Sequence, residues 1–168
     1  KLHRCEIDNS VLANGLRGNS SLKSLKARIF RSLEVGNRDL LSIAGALREN
    51  KGLVELNLVC LSDEAWGAIC DSLETHPTLE VLNLRGVFTV TTTTPAVLKS
   101  QIQALLDMMK TNMLIHTIKL NHQCCCHKLY RESVIPYLET NRLRPRLLAI
   151  QKTLPHAYRA KVLGRALL

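Results

Sequence analysis

The sequence predicts an α/β protein in which helix–strand units stack side by side as a solenoid and share one core. Three observations predict this fold. The stretch "KGLVELNL" from Lys51 is nearly rewritten as "TLEVLNL" from Thr78. Before each stretch, apolar residues recur at the helical spacing i, i+3, i+4, and within it they alternate with period 2, as in a strand. The same combination occurs in four segments, which is the mark of a repeat protein.

The four predicted strands lie on one side of the stack, and their apolar residues follow Leu-x-x-Leu-x-Leu spacing. Since one unit cannot bury its own apolar face, these residues are expected to pack against the neighbouring units. The predicted inward positions are Leu22, Leu25 and Ala27; Leu53, Leu56 and Leu58; Leu79, Leu82 and Leu84; and Ile115, Ile118 and Leu120.

The four predicted helices carry one apolar stripe each. The stripes consist of Leu12, Ala13 and Leu16; Ile43, Ala44 and Leu47; Ile69, Cys70 and Leu73; and Leu105, Leu106 and Met109. In the third helix, we expect Trp66 to fill a gap between neighbouring helices.

A polar residue recurs just past each predicted helix. The four are Asn19, Asn50, His76 and Asn112. Asparagine here is expected to adopt the left-handed conformation that ends a helix, and Pro77 prevents the third helix from continuing.

Helix starts are also marked in the sequence. Asn37 or Asp39 is expected to open the second helix and Ser62 to cap the third. Pro95 suits the first turn of the fourth helix.

The chain changes character after the fourth strand. A fifth helix is predicted over "YRESVIPYLETNR" from Tyr130, but "LRPRLLAI" then stands where a strand would follow. We therefore divide the chain into a repeat domain, residues 1–141, and a basic C-terminal cap or tail, residues 142–168.

These units resemble leucine-rich repeats of the ribonuclease-inhibitor type, which have a full helix in each repeat. The resemblance covers Leu12 to Asn141. The asparagine or cysteine that this type usually has three positions after the last strand leucine is absent, which predicts irregular turns without a regular asparagine ladder. Phe30, Leu61, Val87 and Gln123 stand at these positions.

The resemblance implies a curved sheet whose concave face binds other proteins, and hence a non-catalytic interaction scaffold. Basic residues outnumber acidic ones on this face, which favours a partner with an acidic surface. The alternative is that these charges merely keep an exposed sheet soluble. The expected protein-binding residues are Lys26, Arg28, Glu55, Asn57, Asn83, Arg85, Lys119 and Asn121.

The positive charge is concentrated at the C-terminal end. The formal net charge is +9, and residues 142–168 hold seven basic residues and no acidic one. This segment is expected to cap the core of the stack. The alternative function of the chain is binding of nucleic acid or of an anionic membrane surface by the same segment.

Motifs for enzymatic chemistry and cofactor binding are absent from the sequence, which predicts a protein that is not an enzyme and holds no cofactor. His116 is assigned to packing or to the surface. The stretch "HQCCCHK" from His122 lacks the ligand spacing of a zinc site, so we expect a loop there rather than a metal centre, with Cys124 to Cys126 reduced. No apolar run approaches ~18 residues, so no transmembrane helix is expected. The unspaced cysteines favour reduced thiols and hence a cytoplasmic, intracellular protein.

Overall fold

The computed structural model describes residues 9–28, 36–59, 63–85, 94–120 and 127–153. Helices and strands alternate through most of these ranges, and two consecutive helices end them. The helices are α1 (Asn9–Gly18), α2 (Gly36–Glu49), α3 (Asp63–Leu73), α4 (Pro95–Thr111), α5 (His127–Ser133) and α6 (Ile135–Thr153). The strands are β1 (Ser24–Arg28), β2 (Glu55–Val59), β3 (Val81–Arg85) and β4 (Thr117–Leu120).

The strands form one parallel sheet in the order in which they occur along the chain. Their register matches the predicted repeat frame, because Leu56 pairs with Leu82 and Leu82 pairs with Ile118. All three side chains are buried. The α/β architecture with a parallel sheet is therefore confirmed.

The core lies between the sheet and the helices. Alternation along each strand turns every second residue inward, and the helical stripes meet these side chains from the other layer. Ile43, Leu47, Ile69 and Leu73 are all buried. Trp66 fills space between α3 and α4 as predicted, since it is 1% exposed and its indole Nε1 donates to the carbonyl oxygen of Gln101 at 2.8 Å.

The two ends of the stack differ. At the start, Leu22, Leu25 and Ala27 pack against the core but stay partly exposed. At the other end, the hydroxyl of Tyr130 in α5 donates to the carbonyl oxygen of Ile118 in β4 at 2.8 Å, which satisfies one acceptor of this outermost strand.

Two helix starts can be compared with the predicted ones. α4 begins at Pro95 as predicted, and the side chain of Thr94 caps it by accepting from the backbone N–H of Val97. α2 already begins at Gly36, before both Asn37 and Asp39. Ser62 lies outside the described residues.

The prediction of a single helix from Tyr130 is wrong, because two helices cover this segment. α5 ends at Ser133, a turn at Val134 follows, and α6 begins at Ile135, because Pro136 has no N–H with which to continue the first helix. α6 then runs without interruption through Pro145 to Thr153, so the predicted division after Asn141 falls inside a helix. No helix of the described ranges is long and apolar enough to cross a membrane.

Candidate protein-binding site

The sheet has a face that points away from the helices, which we call the open face. It carries the residues that alternate with the inward leucines. One row crosses all four strands in register, and its members are Lys26, Asn57, Asn83 and Lys119. The two lysines at the ends are exposed, whereas Asn83 in the middle is only 5% exposed. The structure therefore places half of the predicted binding residues in a single line.

The two central asparagines each have a side-chain oxygen without a hydrogen bond. Oδ1 of Asn57 and Oδ1 of Asn83 are both closed off from solvent and have no donor among the described residues. A buried acceptor that lacks a donor costs about 1–3 kcal/mol relative to one that is hydrogen-bonded. Because unsatisfied groups of this kind are uncommon in proteins, two side by side on neighbouring strands mark this row as a candidate site.

A second row lies nearer the start of the strands and is less basic. Here Glu55 pairs in register with Ser24, whose hydroxyl donates to Oε2 of Glu55 at 3.2 Å. Farther along, Glu80 lies 3.5 Å from Nε2 of His116. These two carboxylates thus already have partners, while Lys26 and Lys119 have no carboxylate partner among the described residues.

Two further predicted binding residues lie at the C-terminal ends of the strands. Arg28 ends β1 and Arg85 ends β3, and each is in register with Val59 of the strand between them. The side chains of both arginines lie outside the described part of the structure, so their role in binding stays a prediction. Asn121 lies outside the described residues.

His116 stands between a carboxylate and a hydroxyl, the order of groups that activates a serine nucleophile in hydrolases. Its Nδ1 lies 3.0 Å from Oγ1 of Thr117 and its Nε2 lies 3.5 Å from Glu80. The backbone N–H groups of His116 and Thr117 both donate to the carbonyl oxygen of Glu80, so neither is left to stabilise an oxyanion. These contacts favour a structural role for His116.

The polar residues after the helices have a role that the sequence did not reveal. Asn112 is not left-handed, because its φ of −81° and ψ of 110° are extended, so that prediction is wrong. Instead its Oδ1 accepts from the backbone N–H groups of Leu114 and Ile115, and its Nδ2 donates to the carbonyl oxygen of Leu73 in the preceding unit. The amide thus provides hydrogen-bond partners for two backbone N–H groups of its own turn and for one carbonyl group at the end of the neighbouring helix.

Three further asparagines show parts of the same pattern. Oδ1 of Asn19 accepts from the backbone N–H groups of Ser21 and Leu22. Nδ2 of Asn50 donates to the carbonyl oxygens of Leu16 and Asn19, and Nδ2 of Asn141 donates to those of Asn112 and Ile115. We call this set of residues 19, 50, 76, 112 and 141 the amide ladder. The expectation of no regular asparagine ladder concerned a different set of positions, Phe30, Leu61, Val87 and Gln123, which lie outside the described residues, so it stays a prediction.

His76 is the exception in the amide ladder. Its Nδ1 accepts from the backbone N–H groups of Thr78 and Leu79, at 3.4 and 3.2 Å, so the ring proton of the neutral form sits on Nε2. That Nε2 is buried and has no partner among the described residues. Burial lowers the pKa of His76 below its usual 6.5. Nδ1 of His76 thus accepts the hydrogen bonds that Oδ1 of asparagine accepts elsewhere in the amide ladder, but in the described part of the chain Nε2–H does not make the bond that the asparagine Nδ2 makes.

The described residues contain no group of three or more side chains that could hold a metal ion. Cys124 to Cys126 lie outside these residues, and His127 begins α5. Cys70 is a free, buried cysteine, and burial, with smaller contributions from Asp71 and Glu74, raises the pKa of its thiol.

Comparison with known proteins identifies the fold. No protein-family model matches the chain, and no curated protein matches it. Among solved structures, the chain is similar to actin-binding site 2 of leiomodin-1, with a TM-score of 0.61 and 14% identity over 89% of this chain and 84% of that one. It is also similar to the tropomodulin C-terminal domain of Caenorhabditis elegans, with a TM-score of 0.52 and 20% identity over 86% of this chain and 99% of that one.

Both neighbours have leucine-rich-repeat-like folds, so the predicted leucine-rich-repeat class is confirmed. They do not bear on the ribonuclease-inhibitor type or on the number of units, which stay predictions. At these identities the likeness concerns the fold alone.

Proposed function

We propose that this chain is a non-catalytic protein-binding domain whose partner docks on the open face of the sheet. The observation that carries the proposal is the row from Lys26 to Lys119, which ends in two exposed lysines and has unsatisfied amide oxygens at its centre. A ligand that donates hydrogen bonds to these buried oxygens would satisfy them. We also propose that the units are of the ribonuclease-inhibitor type. We further propose that the protein is intracellular, and the free thiol of Cys70 supports this localisation.

The charges of the open face favour a partner with acidic groups. Lys26 and Lys119 are both exposed and give this face a positive potential. Complementary charge speeds association and fixes orientation more than it adds affinity. Actin is the first partner to test, because one similar structure is an actin-binding site.

The test reverses the two lysines of the row. We expect Lys26→Glu together with Lys119→Glu to abolish co-sedimentation with actin, or capture of another partner by the immobilised chain. The matched control is Lys51→Glu with Lys99→Glu, which changes the charge equally at exposed positions away from the open face. If both double variants retain binding, the open face is not the binding site.

A second candidate function uses α6. Between Arg142 and Thr153 this helix has no acidic residue, and Leu143 and Leu148 are 46% and 42% exposed beside its arginines. Exposed leucines among basic residues favour an anionic membrane surface over nucleic acid, since phosphate groups need no apolar contact.

Vesicle sedimentation tests this second function. We expect binding to vesicles that contain phosphatidylserine but not to neutral ones, with weaker binding after Leu143→Asn with Leu148→Asn. Equal binding of that variant, together with binding to short RNA, would favour nucleic acid instead.

A further inference from the structure

The row on the open face has a defined length. Neighbouring strands of a sheet lie about 4.8 Å apart, so Lys26 on β1 and Lys119 on β4 are separated by about 14 Å at their Cα atoms. Asn57 and Asn83 occupy the two positions between them. The order of groups across the sheet is therefore cation, acceptor, acceptor, cation.

The central pair specifies the chemistry of what it binds. An amide oxygen accepts a hydrogen bond, so Asn57 and Asn83 require donors. The exposed lysines on either side make a cationic donor unfavourable, because like charges in this row repel one another. The donor that fits Asn57 and Asn83 is therefore a neutral N–H group.

From this arrangement we propose that the open face recognises an extended acidic peptide segment in which two carboxylates flank a neutral amide side chain. The inference rests on the proposed function and names the kind of segment that the partner presents. The segment crosses the strands, with its carboxylates on Lys26 and Lys119 and its amide between Asn57 and Asn83.

The spacing within the segment follows from backbone geometry. An extended chain advances about 3.3 Å per residue, so four residues cover the length of the row. Side chains at positions i, i+2 and i+4 of such a chain point to the same side. The recognised pattern is thus an acidic residue at i, asparagine or glutamine at i+2, and an acidic residue at i+4.

The amide oxygens are closed off in the free sheet, so binding must reorient them. The terminal torsion of asparagine is broad, which lets each amide turn toward an incoming donor with little strain. The lysine side chains at the ends are exposed and flexible, and carboxylates draw them away from the centre of the row.

Fluorescence anisotropy at low salt tests the pattern with three labelled nine-residue peptides of equal charge and otherwise alanine and glycine. The first has glutamates at its third and seventh positions and glutamine at the fifth. The second has leucine in place of the glutamine. The third has the two glutamates next to each other. We expect the first peptide to bind about fivefold more tightly than either of the others, as one hydrogen bond or one ion pair allows.

Protein variants test whether Asn57 and Asn83 cause the preference for the first peptide over the second. Asn57→Leu and Asn83→Leu should bind the first two peptides equally, while the matched control Asn14→Leu, on the exposed surface of α1, keeps the fivefold preference. Both sheet variants should fold, because leucine removes an unsatisfied acceptor, and their thermal unfolding midpoints check this.

The outcomes separate this inference from the proposed function. If the unmodified chain binds all three peptides equally or none of them, the recognition pattern is wrong. The proposed function then still stands if reversal of Lys26 and Lys119 abolishes partner capture, and it falls as well if that reversal has no effect.

Discussion

The side chain of Asn50 joins the end of α2 to the end of α1, because its Nδ2 donates to the carbonyl oxygen of Asn19 at 2.8 Å. The same nitrogen donates to Leu16, and Oδ1 of Asn50 accepts from the backbone N–H groups of Gly52 and Leu53. One buried amide therefore satisfies backbone groups of two units that are far apart in the sequence.

Loss of this amide should be costly. We expect Asn50→Ala to lower the free energy of unfolding by about 2–4 kcal/mol, since it leaves buried backbone groups without partners. Urea denaturation measures the change. The control Asn14→Ala, at an exposed position of α1, should stay within about 0.5 kcal/mol of the unmodified chain. Similar midpoints for the two variants would contradict the structural role of the amide ladder.

Asparagine in place of His76, the exception in the amide ladder, should stabilise the protein. We expect His76→Asn to raise the free energy of unfolding by about 1 kcal/mol at pH 7, because Nδ2 replaces a buried Nε2–H that has no acceptor within the described ranges. The expected acceptor is the carbonyl oxygen of Leu47, which stands three residues before Asn50 as Leu73 stands three before His76. A lower unfolding midpoint for this variant would show that the ring is needed for packing.

The same residue predicts a pH dependence. The pKa of His76 is lowered in the folded state, so the unfolded chain binds a proton that the folded chain does not. Stability should therefore fall as the pH decreases from the unfolded pKa of about 6.5 to the lowered folded value, and the contribution of His76 should then stay constant below it. Unfolding curves between pH 5 and 8, compared with those of His76→Asn, isolate the effect, and parallel curves would rule it out.

A close backbone contact should make Gly52 irreplaceable. A Cβ atom at this position would lie 2.6 Å from the carbonyl carbon of Ser20 and still nearer to its oxygen. We expect Gly52→Ala to destabilise the protein by about 1–3 kcal/mol, as overpacking does. Gly67→Ala in α3 has open space around the new Cβ and should stabilise by about 0.5–1 kcal/mol. Thermal unfolding of the two variants checks this difference. A shift of both unfolding midpoints in the same direction would contradict it.

The inward leucines should dominate the stability of the sheet. We expect Leu56→Ala to cost about 2–5 kcal/mol because Leu56 is fully buried and a cavity remains. Its sequence neighbour Glu55 lies on the open face and accepts a hydrogen bond from the exposed Ser24, so Glu55→Ala should cost less than about 1 kcal/mol. Equal denaturation midpoints would argue against the register.

The sequence by itself determined the strands, their order and their inward residues. Alternation along a strand and the apolar stripe of a helix are local patterns, and a repeat places them side by side because each unit must bury its apolar face against the next. This is why Leu56, Leu82 and Ile118 could be placed in one line, and why Lys26 and Lys119 could be assigned to the opposite face.

Only the tertiary structure decided which polar groups are satisfied. Asn50, Asn112 and Asn57 are the same residue type. The side-chain nitrogens of the first two donate to carbonyl oxygens in the preceding unit, whereas the side-chain oxygen of Asn57 has no donor in the part of the chain that the structure describes. A hydrogen bond depends on the group across the gap, which here lies 34 residues away for Asn50 and 39 for Asn112. No local pattern carries that information, so the amide ladder and the unpaired row became visible only when the units were stacked.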